Sequence, residues 1–283
     1  MQVTVEHEMI YRYPRAVRLQ PTCLQLTPRT GPDQRLDDHR LTVDPVPVTR
    51  TVGLGPAGDP AIWICFEGET DRLSISVNSV VSTHRPNPFD FLVADPNYVS
   101  VPVEQVAPAP GLAAYLDPTP AAPAVDALAA EADAETQGQT IQFLSALADR
   151  IHHTIKYLER PEGDPWPPHE TMSRGEGSCR DTAWLMMAAV RSRGLPARFV
   201  SGYSLDHPPD TDPQLHAWVE VYLPGGGWRG FDPSQGLAVT DRHVALASGP
   251  RPADAAVLTG SYQGGSDEAT LEYRVSVTTG DLP

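Results

Sequence analysis

Proline sets the tightest limit on what this chain can become. Thirty of its 283 residues are proline, roughly twice the usual share of about 5%. Proline fixes φ and has no backbone N–H, so it is kept out of helix interiors and central strands. A chain cut this often has many loops, and the windows without proline must carry its regular structure. One of them, Cys179–Arg193 (CRDTAWLMMAAVRSR), lacks glycine as well, and is followed by Gly194 and Pro196. It is apolar on most sides from Ala183 to Val190, which predicts a helix buried at a domain centre.

The flanking segments supply its setting. In residues 1–105, Val3, Val5 and His7 alternate with polar neighbours, and short runs follow at Leu41–Val43, Ile62–Phe66 and Leu73–Val81. Turn-rich clusters such as Gly53–Pro60 separate them, a pattern that predicts an antiparallel β-sandwich-like N-terminal domain. Pro102, Pro108, Pro110, Pro118, Pro120 and Pro123 mark a boundary, and residues 106–138 read as a linker with a short helix at Ala124–Glu135. Residues 139–250 read as the core. Ile141, Leu144, Ala148, Ile151, Ile155 and Leu158 form a helical stripe over Thr140–Leu158. Glu159–Gly177, with four prolines, reads as a loop without regular structure, and strands are expected at Arg198–Leu205, His216–Leu223 and Gly227–Asp232. Residues 251–283 form a tail whose strand, Thr270–Val277, is expected to return to the N-terminal domain. The fold class predicted is α+β, with a central helix packed on an antiparallel sheet.

Composition removes several functions. The formal net charge is −15, the wrong sign for neutralising nucleic-acid phosphates. Met1–Pro14 lacks the basic and apolar regions of a signal peptide. No stretch reaches 18 uninterrupted apolar residues, so no membrane association is expected. Three cysteines make no disulfide framework, and a reducing cytoplasm is the expected location. The nine histidines show no paired metal spacing with cysteine. The acidic segment Asp206–Asp212 lacks a calcium-loop pattern and reads as a rim. Neither a metal nor a cofactor is expected.

The chemistry gathers at three positions. Cys179 opens the predicted buried helix behind Gly175, Gly177 and Ser178, where unpaired N–H groups and the helix dipole favour a thiolate. His216–Leu223 (HAWVEVYL) places His216, Trp218, Glu220 and Tyr222 on one strand face. Pro224–Gly227 turns the chain, and Trp228–Asp232 runs back. Opposed residues of an antiparallel hairpin have indices of constant sum, here about 448 to 450. His216 and Asp232 total 448, so they fall opposite or nearly opposite each other, as a base and its orienting carboxylate must. Cys23 and Cys65 sit in strand-like contexts and read as small buried hydrophobes.

Gly177–Gly202 (GSCRDTAWLMMAAVRSRGLPARFVSG) and His216–Gly236 (HAWVEVYLPGGGWRGFDPSQG) resemble the core of bacterial transglutaminase-like, papain-fold proteins, in that family's order and spacing. Tyr11–Pro28 and Asn87–Leu92 resemble the β-rich region that precedes the core in bacterial members, although Gly55–Asp59 (GPAGD) departs from a turn often seen there. The resemblance implies a catalytic triad of Cys179, His216 and Asp232, forming a thioester on peptide or protein amides. Hydrolysis, as in a cysteine protease or amidase, is favoured over transfer to an amine. It also implies a peptide or protein substrate, and a peptide-forming, ligase-like partner. Substrate contacts are expected from Trp166, His169 and Ser178, with the Cys179 N–H as an oxyanion donor. Asp181 and Arg198 are expected to be structural. Two other readings stand beside this one: a catalytically idle scaffold of the same fold, and acyl transfer from an acyl-CoA as in arylamine N-acetyltransferases.

Overall fold

The computed structural model describes residues 1–103, 110–117, 122–160, 163–206, 214–264 and 269–280. Pro108, Pro118, Pro120, Pro161 and most of the acidic segment Asp206–Asp212 lie outside them.

Six strands open the chain: β1 (Gln2–Leu19), β2 (Thr22–Leu24), β3 (Gln34–Asp44), β4 (Thr49–Leu54), β5 (Pro60–Cys65) and β6 (Thr70–Thr83). Next come helices α1 (Pro123–Glu135) and α2 (Thr140–Thr154), strand β7 (Lys156–Tyr157), α3 (Pro168–Arg174), β8 (Glu176–Gly177) and α4 (Cys179–Arg191). Strands β9 (Ala197–Ser204), β10 (Leu215–Leu223), β11 (Gly227–Asp232), β12 (Leu237–Ala238) and β13 (His243–Gly249) follow. The chain closes with β14 (Leu258–Thr259), β15 (Tyr262–Gln263) and β16 (Thr270–Gly280).

The β-rich N-terminal part and the core follow from these patterns. Alternation along β1 buries Val3, Val5, His7 and Met9 on one face, as period two requires. β1 pairs antiparallel with β6 on one side and with β16 on the other. The C-terminal strand therefore lies beside the first one. A second sheet has the order β14-β2-β5-β4. The core sheet runs β12-β11-β10-β9-β13. Helix α4 packs on β9 and β10, with α1, α2 and α3 against it, so Ala183, Leu185, Met186, Ala189 and Val190 are fully buried. One apolar cluster runs from Val3 and Val5 through α4 to Leu246.

Polar ties cross between the two parts. Gln34 donates to the Ala245 carbonyl at 2.9 Å and accepts from its N–H at 2.8 Å. Asp59 accepts from the Ser248 N–H and Oγ, each at 2.6 Å. Glu220 bridges Arg29 and Arg198. Burying polar groups demands such partners, and Gln34, Asp59 and Glu220 each find theirs across the junction.

Two expectations are corrected here. The helical stripe of Thr140–Leu158 stops at Thr154, because Lys156 and Tyr157 pair in parallel with Glu176 and Gly177. The segment expected to be irregular holds α3 and β8: Pro168 sits in the first helical turn, where a missing N–H costs nothing, and Gly175 ends that helix at φ 65°.

Candidate active site

Cys179 is the first residue of α4, with Ser178 as its N-cap. Asp181, fully buried one turn on, organises the approach. Its Oδ2 accepts from the Ser178 N–H at 2.7 Å and from Ser178 Oγ at 2.8 Å. Its Oδ1 accepts from the Trp166 N–H at 2.6 Å and from Arg160 at 2.7 Å. One carboxylate thus caps the helix and pins the loop beside it, satisfying donors the helix start leaves open. Gly177 is required by this packing, since a Cβ there would lie 2.9 Å from the Asp181 Cβ. Arg180 fastens the same loop, donating to the carbonyls of Gly163 and Arg160 at 2.7 and 2.6 Å.

The β10–β11 hairpin supplies the other two groups. Val219 pairs with Phe231 and Leu223 with Gly227, a constant sum of 450. In that register Asp232 falls opposite Trp218, and His216 is its diagonal neighbour on the same face, within reach of long side chains. His216 Nε2 lies 2.6 Å from Asp232 Oδ2. A carboxylate only accepts, so Nε2 carries the proton and Nδ1 is the nitrogen left for Cys179. Burial works against the imidazolium, but the charge and hydrogen bond of Asp232, reinforced by Cys179, hold His216 well above the usual histidine range. Burial opposes the Asp232 charge too, yet His216 and His243 keep its carboxyl far below the ordinary value.

His243 is the group the sequence did not disclose. Its Nε2 lies 3.4 Å from Asp232 Oδ2 and 3.5 Å from Ser204 Oγ, and the residue is 4% exposed. It opens β13, a strand buried along its whole length, whose run lacks the alternation that marks a strand in sequence. Asp232 Oδ1 meanwhile accepts from the Ser234 N–H and Oγ at 3.0 and 2.7 Å. One ligand atom each of His216, Asp232 and His243 falls within 4.8 Å of the others, a grouping that histidine spacing did not foreshadow. The 2.6 Å separation is that of a charge-assisted hydrogen bond, with a proton between the atoms.

Cys179 and His216 open on a cavity of about 700 Å³. Its floor and sides include Ser178, Trp184, Phe199 and Ala217, with Tyr157 delivered by β7. Burial first, then the charges of Cys179 and Glu159, push the Tyr157 phenol up. Of the expected substrate contacts, Ser178 lines this cavity, whereas Trp166 and His169 do not. The Trp166 ring is held between the guanidinium groups of Arg160 and Arg174, 4.4 and 4.2 Å from its centroid; its role is to brace the loop. Arg198 pairs with Glu220 and stacks over Trp228 at 4.3 Å, a structural role.

Residues 126–233 match the family profile of the transglutaminase-like superfamily, and residues 3–82 that of the bacterial transglutaminase-like N-terminal region. The chain belongs to the transglutaminase-like superfamily. This transglutaminase-like chain is 29% identical over 288 residues to the uncharacterized protein Rv2569c of Mycobacterium tuberculosis, covering 96% of its own length and 91% of the relative's. A 72-residue stretch is 35% identical to the uncharacterized protein YebA of Bacillus subtilis, covering 22% of this chain and 10% of that one. A solved structure described as a putative cysteine protease from Cytophaga hutchinsonii superposes with a TM-score of 0.74 at 22% identity. The match covers 100% of this chain and 92% of the other, and it establishes a shared fold. None of the helices is long and apolar enough to cross a membrane among the described residues.

Proposed function

We propose that this protein is a thiol-dependent acyl-transfer enzyme acting on peptide or protein amide bonds, with water as the favoured acceptor. The observation that carries the reading is the Asp232–His216 hydrogen bond of 2.6 Å, formed on a ring that lines the same cavity as Cys179. A nucleophile, a base within reach of it, and a carboxylate orienting the base make up the required arrangement.

In the proposed cycle Cys179 Sγ, its proton transferred to His216 Nδ1, attacks the amide carbonyl carbon. The oxyanion forms beside the Cys179 N–H at the start of α4. The C–N bond then breaks, the leaving amine takes the proton from His216, and a thioester remains on Sγ. His216 next removes a proton from water, the hydroxide attacks the thioester, and the C–S bond breaks to release the acid and restore the thiol. An amine in place of water gives a new amide by the same steps. Hydrolysis is preferred on the description carried by the Cytophaga hutchinsonii relative. A reducing, cytoplasmic location belongs to the proposal, on the strength of three free thiols.

The test is iodoacetamide labelling across pH, read by peptide mass spectrometry. Expected is modification of Cys179 at pH 6 ahead of Cys23, whose thiol burial pushes up, and its loss in His216→Ala. Equal labelling of all three cysteines sinks the enzymatic reading and leaves a scaffold. Incubation with a peptide library, with and without amine acceptors, then separates cleavage from transfer.

A further inference from the structure

The cavity over Cys179 has one wall that the catalytic core does not supply. Strands β1 and β16 come from opposite ends of the chain and pair antiparallel along their length, with Met9 opposite Tyr273 and Tyr11 opposite Leu271. Those four are odd-numbered positions, on the face that buries Val3, Val5 and Val275, and all four line the same cavity as Cys179 and His216. Cross-strand neighbours on one face touch, so they form a continuous patch of two aromatic rings and two aliphatic chains. Facing it from the core are Trp184, Phe199 and Ala217. The register is pinned by burial, since a slip of one residue would turn the whole patch to the other face.

The three arginines at this cavity are already engaged. Arg160 and Arg180 hold the loop of Gly163 and Asp164, and Arg251 is paired with Asp254 at 2.8 Å. What the space offers a ligand is therefore mainly apolar and aromatic surface, in a volume of about 700 Å³ that lies within the range of small-molecule and short-peptide sites.

We infer that the first and last strands build the specificity wall of the active site, and that the substrate carries an aromatic or long aliphatic side chain next to the amide that Cys179 attacks. Small, acidic or strongly hydrated side chains there leave the wall wet and gain nothing from it. This rests on the proposed thiol chemistry, and the experiment separates the two. Alkylation of Cys179 at pH 6 is measured with chloroacetamide and with N-benzyl chloroacetamide, each normalised to its rate with glutathione. The benzyl reagent is expected to react at least about tenfold faster, as filling an apolar pocket allows. In Leu271→Trp, which fills the pocket, and in Tyr273→Ala, which removes half of a cross-strand pair, the ratio falls to within about twofold of unity. Circular dichroism confirms folding of each variant, and the untagged reagent reports the thiol in each. A ratio near one in the wild type, with Cys179 still labelled, overturns the wall and leaves the proposed function standing. A high ratio untouched by both variants assigns the apolar group to another surface and also overturns it. Failure of both reagents to label Cys179 instead removes the proposed function beneath it.

Discussion

His243 Nε2 stands 3.4 Å from Oδ2 of Asp232, the oxygen that also receives His216 Nε2 at 2.6 Å. A fully buried carboxylate keeps its charge when donors surround it, and here two imidazoles and Ser234 do so. His243 is thus placed to position Asp232 in the proposed enzyme. His243→Phe keeps a ring in the space and removes the donor. The expected result is a kcat/KM lower by about 10- to 100-fold, the scale seen when an outer hydrogen-bond partner is lost. The acid limb of the pH profile should also move upward as the Asp232 carboxyl becomes easier to protonate. A fall in kcat/KM with an unmoved acid limb would mean that His243 only packs.

Asp232→Asn probes the pair itself. The imidazolium of His216 is held well above the usual histidine range by burial being outweighed by Asp232. An amide cannot supply that charge, so the alkaline limb of kcat/KM should shift down by at least a full unit and the rate fall by about 10³- to 10⁴-fold. The sign for stability follows from the same direction. A histidine raised above its unfolded value stabilises the fold fully below about pH 6.5 and ceases to do so as pH rises through the folded value. Urea midpoints of wild type and Asp232→Asn should therefore differ most in mildly acidic solution and converge at alkaline pH.

How much of this was legible beforehand depends on the range of each contact. The helix of Cys179 and the hairpin of His216 and Asp232 were readable, because proline-free apolar periodicity and a tight turn are local signals. The turn left the sum uncertain between 448 and 450, and the observed 450 makes the two residues diagonal neighbours. His243 was not readable. It reaches Asp232 because β13 adds to the far edge of β9, a pairing no local pattern encodes, in a strand whose apolar run matches a buried helix equally well. Tyr157 was misplaced for a related reason: its helical stripe continues in sequence, but pairing with Gly177 overrides propensity. Trp166 and His169 lie outside the lining of the cavity because proximity in sequence to Cys179 does not fix direction, and two guanidinium groups enclose the indole.

Asp181→Asn tests how the loop and the helix start are joined. The carboxylate accepts four hydrogen bonds at full burial, and an amide nitrogen in place of one oxygen leaves two of those donors facing a donor. Each buried unmet donor costs about 1–3 kcal/mol, so for the two a loss of about 2–6 kcal/mol in urea unfolding is expected. Iodoacetamide labelling of Cys179 should slow as well, because Ser178 and the Trp166 loop share that anchor. A variant with wild-type stability would show that the network contributes nothing net.

The remaining prediction concerns acid. Glu220 lies between Arg29 and Arg198, and although burial opposes its charge, the two guanidinium groups depress its carboxyl from 4.5 to about 2. A depressed acid stabilises the fold above its unfolded value and loses that contribution as pH falls through the folded one. The window is therefore from about pH 4.5 down to about pH 2, and the contribution at neutral pH is about 3 kcal/mol. Glu220→Gln should lose about that much at pH 7, because it leaves two buried arginines without their shared anion. It should also show a shallower decline of urea stability between pH 5 and pH 3 than the wild type. Equal slopes for the two proteins would mean that other carboxylates carry the acid sensitivity, and that the bridge between Arg29 on the N-terminal side and Arg198 on β9 holds the two parts together without titrating in that window.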